Sequence, residues 1–283
     1  MKTETEVDKG KSAHQNSIEA QFTIARMMKD IRHKIIVLSG KGGVGKSTFA
    51  VNLAFGLASL GKRVGLLDID LHGPSVGKMT GIGESRLFSN ESGLIEPIEA
   101  GGVKVITMAS LLMEADAPVI WRGPMKMKAI DQFLSEVNWG ELDYLVIDSP
   151  PGTGDEPLSV IQRLPDMDGA VILTTPQSVA LMDARRTISF ARQLGVTVLG
   201  IVENMSGFVC PHCGEITEIF KSGGGASAAE EMGIDFLGKI PLEPAVMAAS
   251  DDGKPFVLSQ KESLSREAMM GIVEKISSRL ESK

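Results

Sequence analysis

Apolar residues in this chain fall into short unbroken runs separated by longer stretches with helical spacing. Runs such as Ile35-Ile36-Val37-Leu38 and Tyr144-Leu145-Val146-Ile147 lack the in–out alternation of a half-exposed strand, so they read as strands buried on both faces. The pattern predicts strands over 35–39, 63–68, 103–108, 143–148, 169–174 and 196–202, and helices over 46–60, 124–136 and 177–194. Gly61 and Gly195 stop two of these helices just before a strand. Strand and helix in alternation imply an α/β fold, a doubly wound, mostly parallel sheet with helices on both faces. Ile18, Phe22, Ala25, Met28 and Ile31 recur at helical spacing and predict a short amphipathic helix ahead of that core, after a polar stretch over 1–16 expected to be flexible. The expected organisation is a flexible segment with a short helix over 1–33 and one α/β domain over 34–283. Residues 81–102 and 205–233, rich in glycine and polar residues, read as excursions from it.

The first strand runs into Gly40-Lys41-Gly42-Gly43-Val44-Gly45-Lys46-Ser47-Thr48, and a predicted helix follows. This fits G-x-x-x-x-G-K-[ST] in the context that the motif requires. Glycines at 40, 42, 43 and 45 are expected to take positive φ and turn successive N–H groups inward, and the helix adds the positive end of its dipole. A polyphosphate suits such a loop, with Lys46 on the β- and γ-phosphates, the Ser47 hydroxyl on Mg²⁺ and Thr48 near the α-phosphate. Lys41 is surplus to that task. Leaving the turn outward, it is better placed to reach a nucleotide held by another subunit.

Two further strands end in acids. Arg63–Leu67 leads to Asp68-Ile69-Asp70, and the strand Tyr144–Ile147 ends at Asp148, the Walker B form suited to Mg²⁺. In a doubly wound sheet these carboxyl ends face the P-loop. Either Asp68 or Asp70 could instead cap a following helix. After Asp148 come Ser149-Pro150-Pro151-Gly152-Thr153-Gly154-Asp155, a stiffened loop in which Gly152 is expected to offer an N–H to a γ-phosphate, as a nucleotide-sensing switch.

Composition narrows the choices. Hydrophobic residues make up 43% and charged residues 23%, the formal net charge is −7, and there are two Trp and one Tyr. No basic stripe interleaved with aromatics is present, so nucleic-acid binding is not expected. No apolar run approaches a membrane span and the first residues do not resemble a signal peptide, so a cytoplasmic protein is expected. The carboxyl-terminal helix has Leu264, Ala268, Ile272, Ile276 and Leu280 on one side, and residues 261–283 carry five basic and four acidic groups, which favours packing on the core over a membrane helix.

Both cysteines of the chain lie in Cys210-Pro211-His212-Cys213. This spacing suits a metal, a cluster or a reversible disulfide. The redox motifs it resembles open a helix, whereas Gly214–Phe220 alternates like a strand. Structural zinc wants four ligands and a [4Fe–4S] cluster usually four thiolates, so two chains about a two-fold axis are needed to complete a site.

The sequence G-K-G-G-V-G-K-S-T resembles the deviant Walker A of the MinD, ParA and nitrogenase-iron-protein class, whose members dimerise face to face around ATP. That resemblance implies Asp70 for the hydrolytic water, Asp68 nearer Mg²⁺, and Asn204, in Ile201-Val202-Glu203-Asn204, for adenine; a turn-forming Asn is the competing reading of Asn204. Together with D-I-D-L-H-G-P-S, D-S-P-P-G-T-G-D and N-M-S-G-F-V-C-P-H-C-G, the chain resembles the Mrp/ApbC family of ATP-binding iron–sulfur carriers over roughly residues 30–255. The resemblance implies a homodimer with a [4Fe–4S] cluster bridged by Cys210 and Cys213, passed to apo iron–sulfur proteins with ATP hydrolysis. The rivals are a MinD- or ParA-like positioning ATPase and a zinc-bridged regulatory ATPase.

Overall fold

The computed structural model describes residues 19–70, 75–83, 85–111, 123–259 and 262–282. The polar stretch expected over 1–16, Ile18 of the amphipathic stripe, and Leu71–Pro74 lie outside the described residues.

A helix over residues 19–28 (α1) leads into β1 (Ile31–Ser39), α2 (Lys46–Ser59) and β2 (Val64–Asp68). Then come α3 (Val76–Met79), the short strands β3 (Phe88–Ser89), β4 (Ile95–Glu96) and β5 (Ile98–Ala100), β6 (Val103–Thr107), a 3₁₀ turn and α4 (Gly123–Glu136). The chain continues through β7 (Leu142–Asp148), α5 (Asp155–Arg163), β8 (Gly169–Thr174), α6 (Ser178–Gln193), β9 (Val198–Val209), β10 (Ile216–Thr217) and α7 (Gly224–Met232). It ends with β11 (Phe236–Leu242), α8 (Pro244–Asp251), α9 (Phe256–Ser259) and α10 (Leu264–Glu281).

The main sheet runs β10-β9-β8-β1-β7-β2-β6-β5, with β11 also paired to β9. Only β5 and β10 run antiparallel to their neighbours. β1 lies between β7 and β8; the chain runs from β1 past β7 to β2 on one side and later from β7 past β1 to β8 on the other, and this reversal opens a crevice at the carboxyl ends of the strands. Ile35 and Val37 of β1 belong to the core under α2 and α10, while Ile36 and Leu38 belong to the core under α4, α5 and α6. β1 is therefore buried on both sides, the reason its apolar run is unbroken.

Three elements differ from the sequence expectation. In α1 the buried pair is Ile24 and Met28, four apart, whereas Phe22 is 73% exposed and Ala25 is exposed; the stripe is displaced from the expected one, and Ile31 already belongs to β1. Likewise α10 buries Met269, Ile272, Val273, Ile276 and Leu280 but leaves Leu264 exposed. The stretch 205–233 is not an irregular excursion, since β9 continues to Val209 and α7 fills 224–232.

Candidate functional site

The strand register lines up the acids. Asp148 pairs across with Val37 of β1 on one side and Asp68 of β2 on the other, and Asp68 pairs with Thr107 of β6. Two carboxylates thus sit side by side, both fully buried, directly beneath the loop that links β1 to α2. Asp68 is held on both oxygens: Oδ1 accepts from the Asp70 N–H at 2.9 Å and Oδ2 from the Thr107 hydroxyl at 2.7 Å. Burial, and then the neighbouring Asp148 charge, push its carboxyl up to about 8. Burial also raises Asp148, against the pull of Lys46.

Lys46 is itself buried, and its Nζ donates to Asp148 Oδ1 at 2.5 Å and to the Ser47 hydroxyl at 3.3 Å, with Asp70 Oδ2 at 4.0 Å. Asp148 Oδ2 is buried and finds no hydrogen-bond partner among the described residues. An orphaned carboxylate oxygen close to the Ser47 hydroxyl fits a hard divalent cation. Asp68 offers no such free oxygen, so its geometry suits holding the Asp70 backbone more than ligating Mg²⁺ directly.

A cleft of about 200 Å³ lies above this row, lined by Lys41, Gly42, Gly43, Gly45, Lys46, Ser47, Thr48 and Asp70 of the predicted set, together with Ser39, Ser75, Met79 and Pro151. Its size suits a phosphate chain. Of the four glycines only Gly43 (φ 79°) and Gly45 (φ 83°) take positive φ. Gly40 is required for a different reason: a Cβ there would meet the Asp183 backbone of α6 at 2.5 Å. Gly42 shows neither constraint; a Cβ there would reach only Pro151 Cγ, at 4.0 Å. Gly45 caps α2 in the left-handed conformation, and a Cβ on it would lie 2.3 Å from Asn204 Nδ2. Lys41 lines the cleft half-exposed, with its carbonyl accepting from the Ser39 hydroxyl and no ion pair to another described residue.

Two of the expected nucleotide contacts already have partners within the protein. The Gly152 N–H donates to the Ser39 carbonyl at 2.7 Å, which pins the loop after Asp148 to the end of β1. Asn204 Nδ2 donates to the Val44 carbonyl of the P-loop at 2.9 Å.

Sequence reasoning missed Glu203. It is fully buried on β9, accepts from the Ser206 hydroxyl (2.5 Å) and the Gly223 N–H (3.0 Å) on Oε1, and accepts from the Gly225 N–H (2.5 Å) on Oε2. A carboxylate thereby caps α7 where the helix dipole is positive. The one signal available was a charge interrupting an apolar strand.

The thiols lie at the tip of the β9–β10 hairpin. The Cys210 N–H donates to the Glu215 carbonyl (3.0 Å) and the Gly214 N–H to the Cys210 carbonyl (2.8 Å), closing a tight turn rather than opening a helix. Cys210 is half-exposed and Cys213 exposed, and both are free. The N–H groups of His212 and Cys213, then the Cys213 thiol, bond to the Cys210 sulfur and lower its pKa. Within the turn the sulfurs converge and His212 is exposed to solvent. No group of three or more His, Cys, Asp or Glu residues fit for a metal occurs among the described residues.

Comparison with known proteins agrees with this architecture. The chain is 51% identical over 235 residues, 83% of its length and 81% of the relative's, to the iron-sulfur cluster carrier protein of Methanocaldococcus jannaschii. It is 49% identical to the cytosolic Fe-S cluster assembly factor NUBP2 homolog of Dictyostelium discoideum, covering 80% of this chain and 87% of that one. The nucleotide-binding protein of Archaeoglobus fulgidus in complex with ADP superposes with a TM-score of 0.75 at 37% identity, over 87% of this chain and 98% of that one. MinD from Pyrococcus horikoshii (TM-score 0.65, 21% identity, 88% and 97% covered) shares the fold. Among the described residues no helix is long and apolar enough to cross a membrane. Residues 30–277 match the ParA family described as NUBPL iron-transfer P-loop NTPases, and it is to this family that the chain belongs.

Proposed function

We propose that the protein is an ATP-hydrolysing iron–sulfur cluster carrier of the cytosol. It works as a homodimer that shares a [4Fe–4S] cluster between the Cys210/Cys213 pairs of its two subunits and passes it to apo iron–sulfur proteins. The observation that carries this reading is the turn that brings the two free thiols together at the end of β9, the strand whose Asn204 also holds the P-loop. The relatives named as iron-sulfur carriers support the choice of cargo.

The residues divide the work as follows. Backbone N–H groups of the loop from Gly40 to Thr48 cradle the phosphates of ATP, and Lys46 shifts from Asp148 toward the β- and γ-phosphates. Ser47 and Asp148 hold Mg²⁺, which when bound neutralises charge on the phosphates. Asp70 orients the attacking water, kept in place by its backbone bond to Asp68. Lys41 reaches the nucleotide of the facing subunit. For Gly152 to read the γ-phosphate its bond to Ser39 must open, and that rearrangement is the switch between the two nucleotide states.

Anaerobic reconstitution with iron and sulfide tests the reading. The expected product is a coloured dimer holding half a cluster's iron per chain, with Cys210→Ala losing both colour and iron. A monomer that retains a complete cluster, an alanine variant that keeps it, or colourless zinc in its place would overturn the proposal.

A further inference from the structure

Strand β9 runs from beside the nucleotide cleft to the thiols, and two adjacent side chains on it tie it to other elements. Asn204 Nδ2 grips the Val44 carbonyl. That carbonyl belongs to the Val44–Gly45 peptide, and in a trans peptide the N–H points opposite to the C=O. Gly45 lines the cleft. Asn204 therefore fixes the peptide plane that aims the Gly45 N–H at the phosphates. One residue earlier, Glu203 ties the same strand to α7 through Gly223 and Gly225, and to Ser206 on the far side. A Cβ at Gly225 would lie 2.9 Å from Glu203 Cβ, and one at Gly224 2.4 Å from Leu181 Cδ1 of α6. The glycine run is what lets α7 close onto this carboxylate.

Immediately after Asn204 the strand bends. Met205 takes φ 57°, a conformation that costs a non-glycine residue free energy, and Gly207 takes φ 84°. The pairing of β9 with β11 loses regular register over the same stretch. The Ser206–Glu203 bond spans the bend. Cys210 lies six positions beyond Asn204, at most about 22 Å of extended chain.

We propose that Asn204 and Glu203 are a positioning pair that links the phosphate nest to the thiol hairpin: Asn204 orients the Gly45 peptide, and Glu203 holds the strained bend at Met205 so that a shift of the P-loop turns the hairpin. The bend is the element with two arrangements, and the grip on Val44 is what biases it. This deepens the carrier reading, on which it rests only for what the thiols hold.

The test is amide hydrogen exchange of the metal-free full chain, with and without saturating ATP and Mg²⁺, alongside nucleotide titration. In the wild type, nucleotide changes exchange of the Cys210 and Gly214 amides at least about fivefold, the lower end of ordinary coupling between sites. Asn204→Asp, close in shape but without the donor, weakens ATP binding about fivefold or more, as expected for one lost hydrogen bond, and abolishes the hairpin response at saturation. Ser206→Ala leaves ATP affinity as it is and reduces the hairpin response alone, a readout that a merely structural role does not move. Unchanged ATP affinity in Asn204→Asp overturns the proposal, as does a hairpin that never responds to nucleotide or one that responds equally in all three proteins. Iron is not read in any arm, so failure here is distinct from failure of the carrier reading.

Discussion

Strand β7 carries an aspartate near each end, and the two live under opposite physical regimes. Asp143, near the amino end, accepts from the Arg63 backbone N–H (2.8 Å) and from its guanidinium (3.0 and 3.3 Å), and these bonds hold its carboxyl below the usual range. Asp148, at the carboxyl end, is buried, pushed upward, and left with one oxygen unbonded among the described residues. The first aspartate is satisfied by the fold; the second is held where burial disfavours its charge and Lys46, on one of its oxygens, is the largest offset to that cost. Stability and function are thus separated along one strand, with pairing at one edge of the sheet and stored electrostatic strain at the other.

The largest expected effect tests whether the carboxyl edge is where chemistry occurs. Asp70→Asn should lower ATP turnover by roughly 10²–10⁴-fold, the range for loss of a positioned proton acceptor, with ATP affinity retained. Steady-state hydrolysis beside equilibrium nucleotide binding measures both, and equal losses in the two would assign Asp70 to binding. Next comes Gly45→Ala, which forces a side chain into φ 83° and against Asn204. A loss of about 1–3 kcal/mol in denaturant unfolding is expected, together with weaker ATP binding.

The third prediction turns on pH. Because Asp68 is raised to about 8, its favourable contribution is complete below the unfolded carboxylate value near ~4 and is lost as pH rises toward 8. Asp68→Asn should therefore be more stable than the wild type by on the order of 1 kcal/mol at pH 8, with the advantage vanishing near pH 4. Thermal melts across that window decide it, and an advantage independent of pH would remove the electrostatic explanation. Asp143 has the opposite sign: its contribution is present above about pH 4 and lost as pH falls through its lowered folded value. Arg63→Ala, at an exposed ion pair, should produce the smallest change, one that fades into experimental error at physiological salt. A large, salt-independent drop in Tm there would erase the contrast between the two ends.

What the sequence disclosed follows from how local each signal is. Strands β2, β7 and β8 were legible to within a residue because burial on both faces leaves an unbroken apolar run. The P-loop was legible because its spacing is contiguous. The continuation of β9 was hidden, since Glu203, Asn204 and Ser206 look like loop residues until Gly223, Gly225 and Val44 are brought to them from distant positions. α7 was hidden as well, because Gly224–Met232 is mostly glycine and alanine and shows no apolar stripe. The use of the Gly152 N–H and the division of labour between Asp68 and Asp148 depend on strand register, which no spacing along the chain encodes.

One consequence concerns the outer margin of the sheet. Beyond β9 the last strand is β11, which pairs with β9 alone among the described residues and carries an exposed Lys239 and a Pro241. Proline has no N–H to give, and a bare ammonium resists being laid against a neighbouring backbone, so this rim refuses an added strand. Two copies of the chain do not readily lengthen their sheets into one another at this rim. The self-association proposed above then calls on another surface, such as the loop-bearing end that holds the nucleotide cleft.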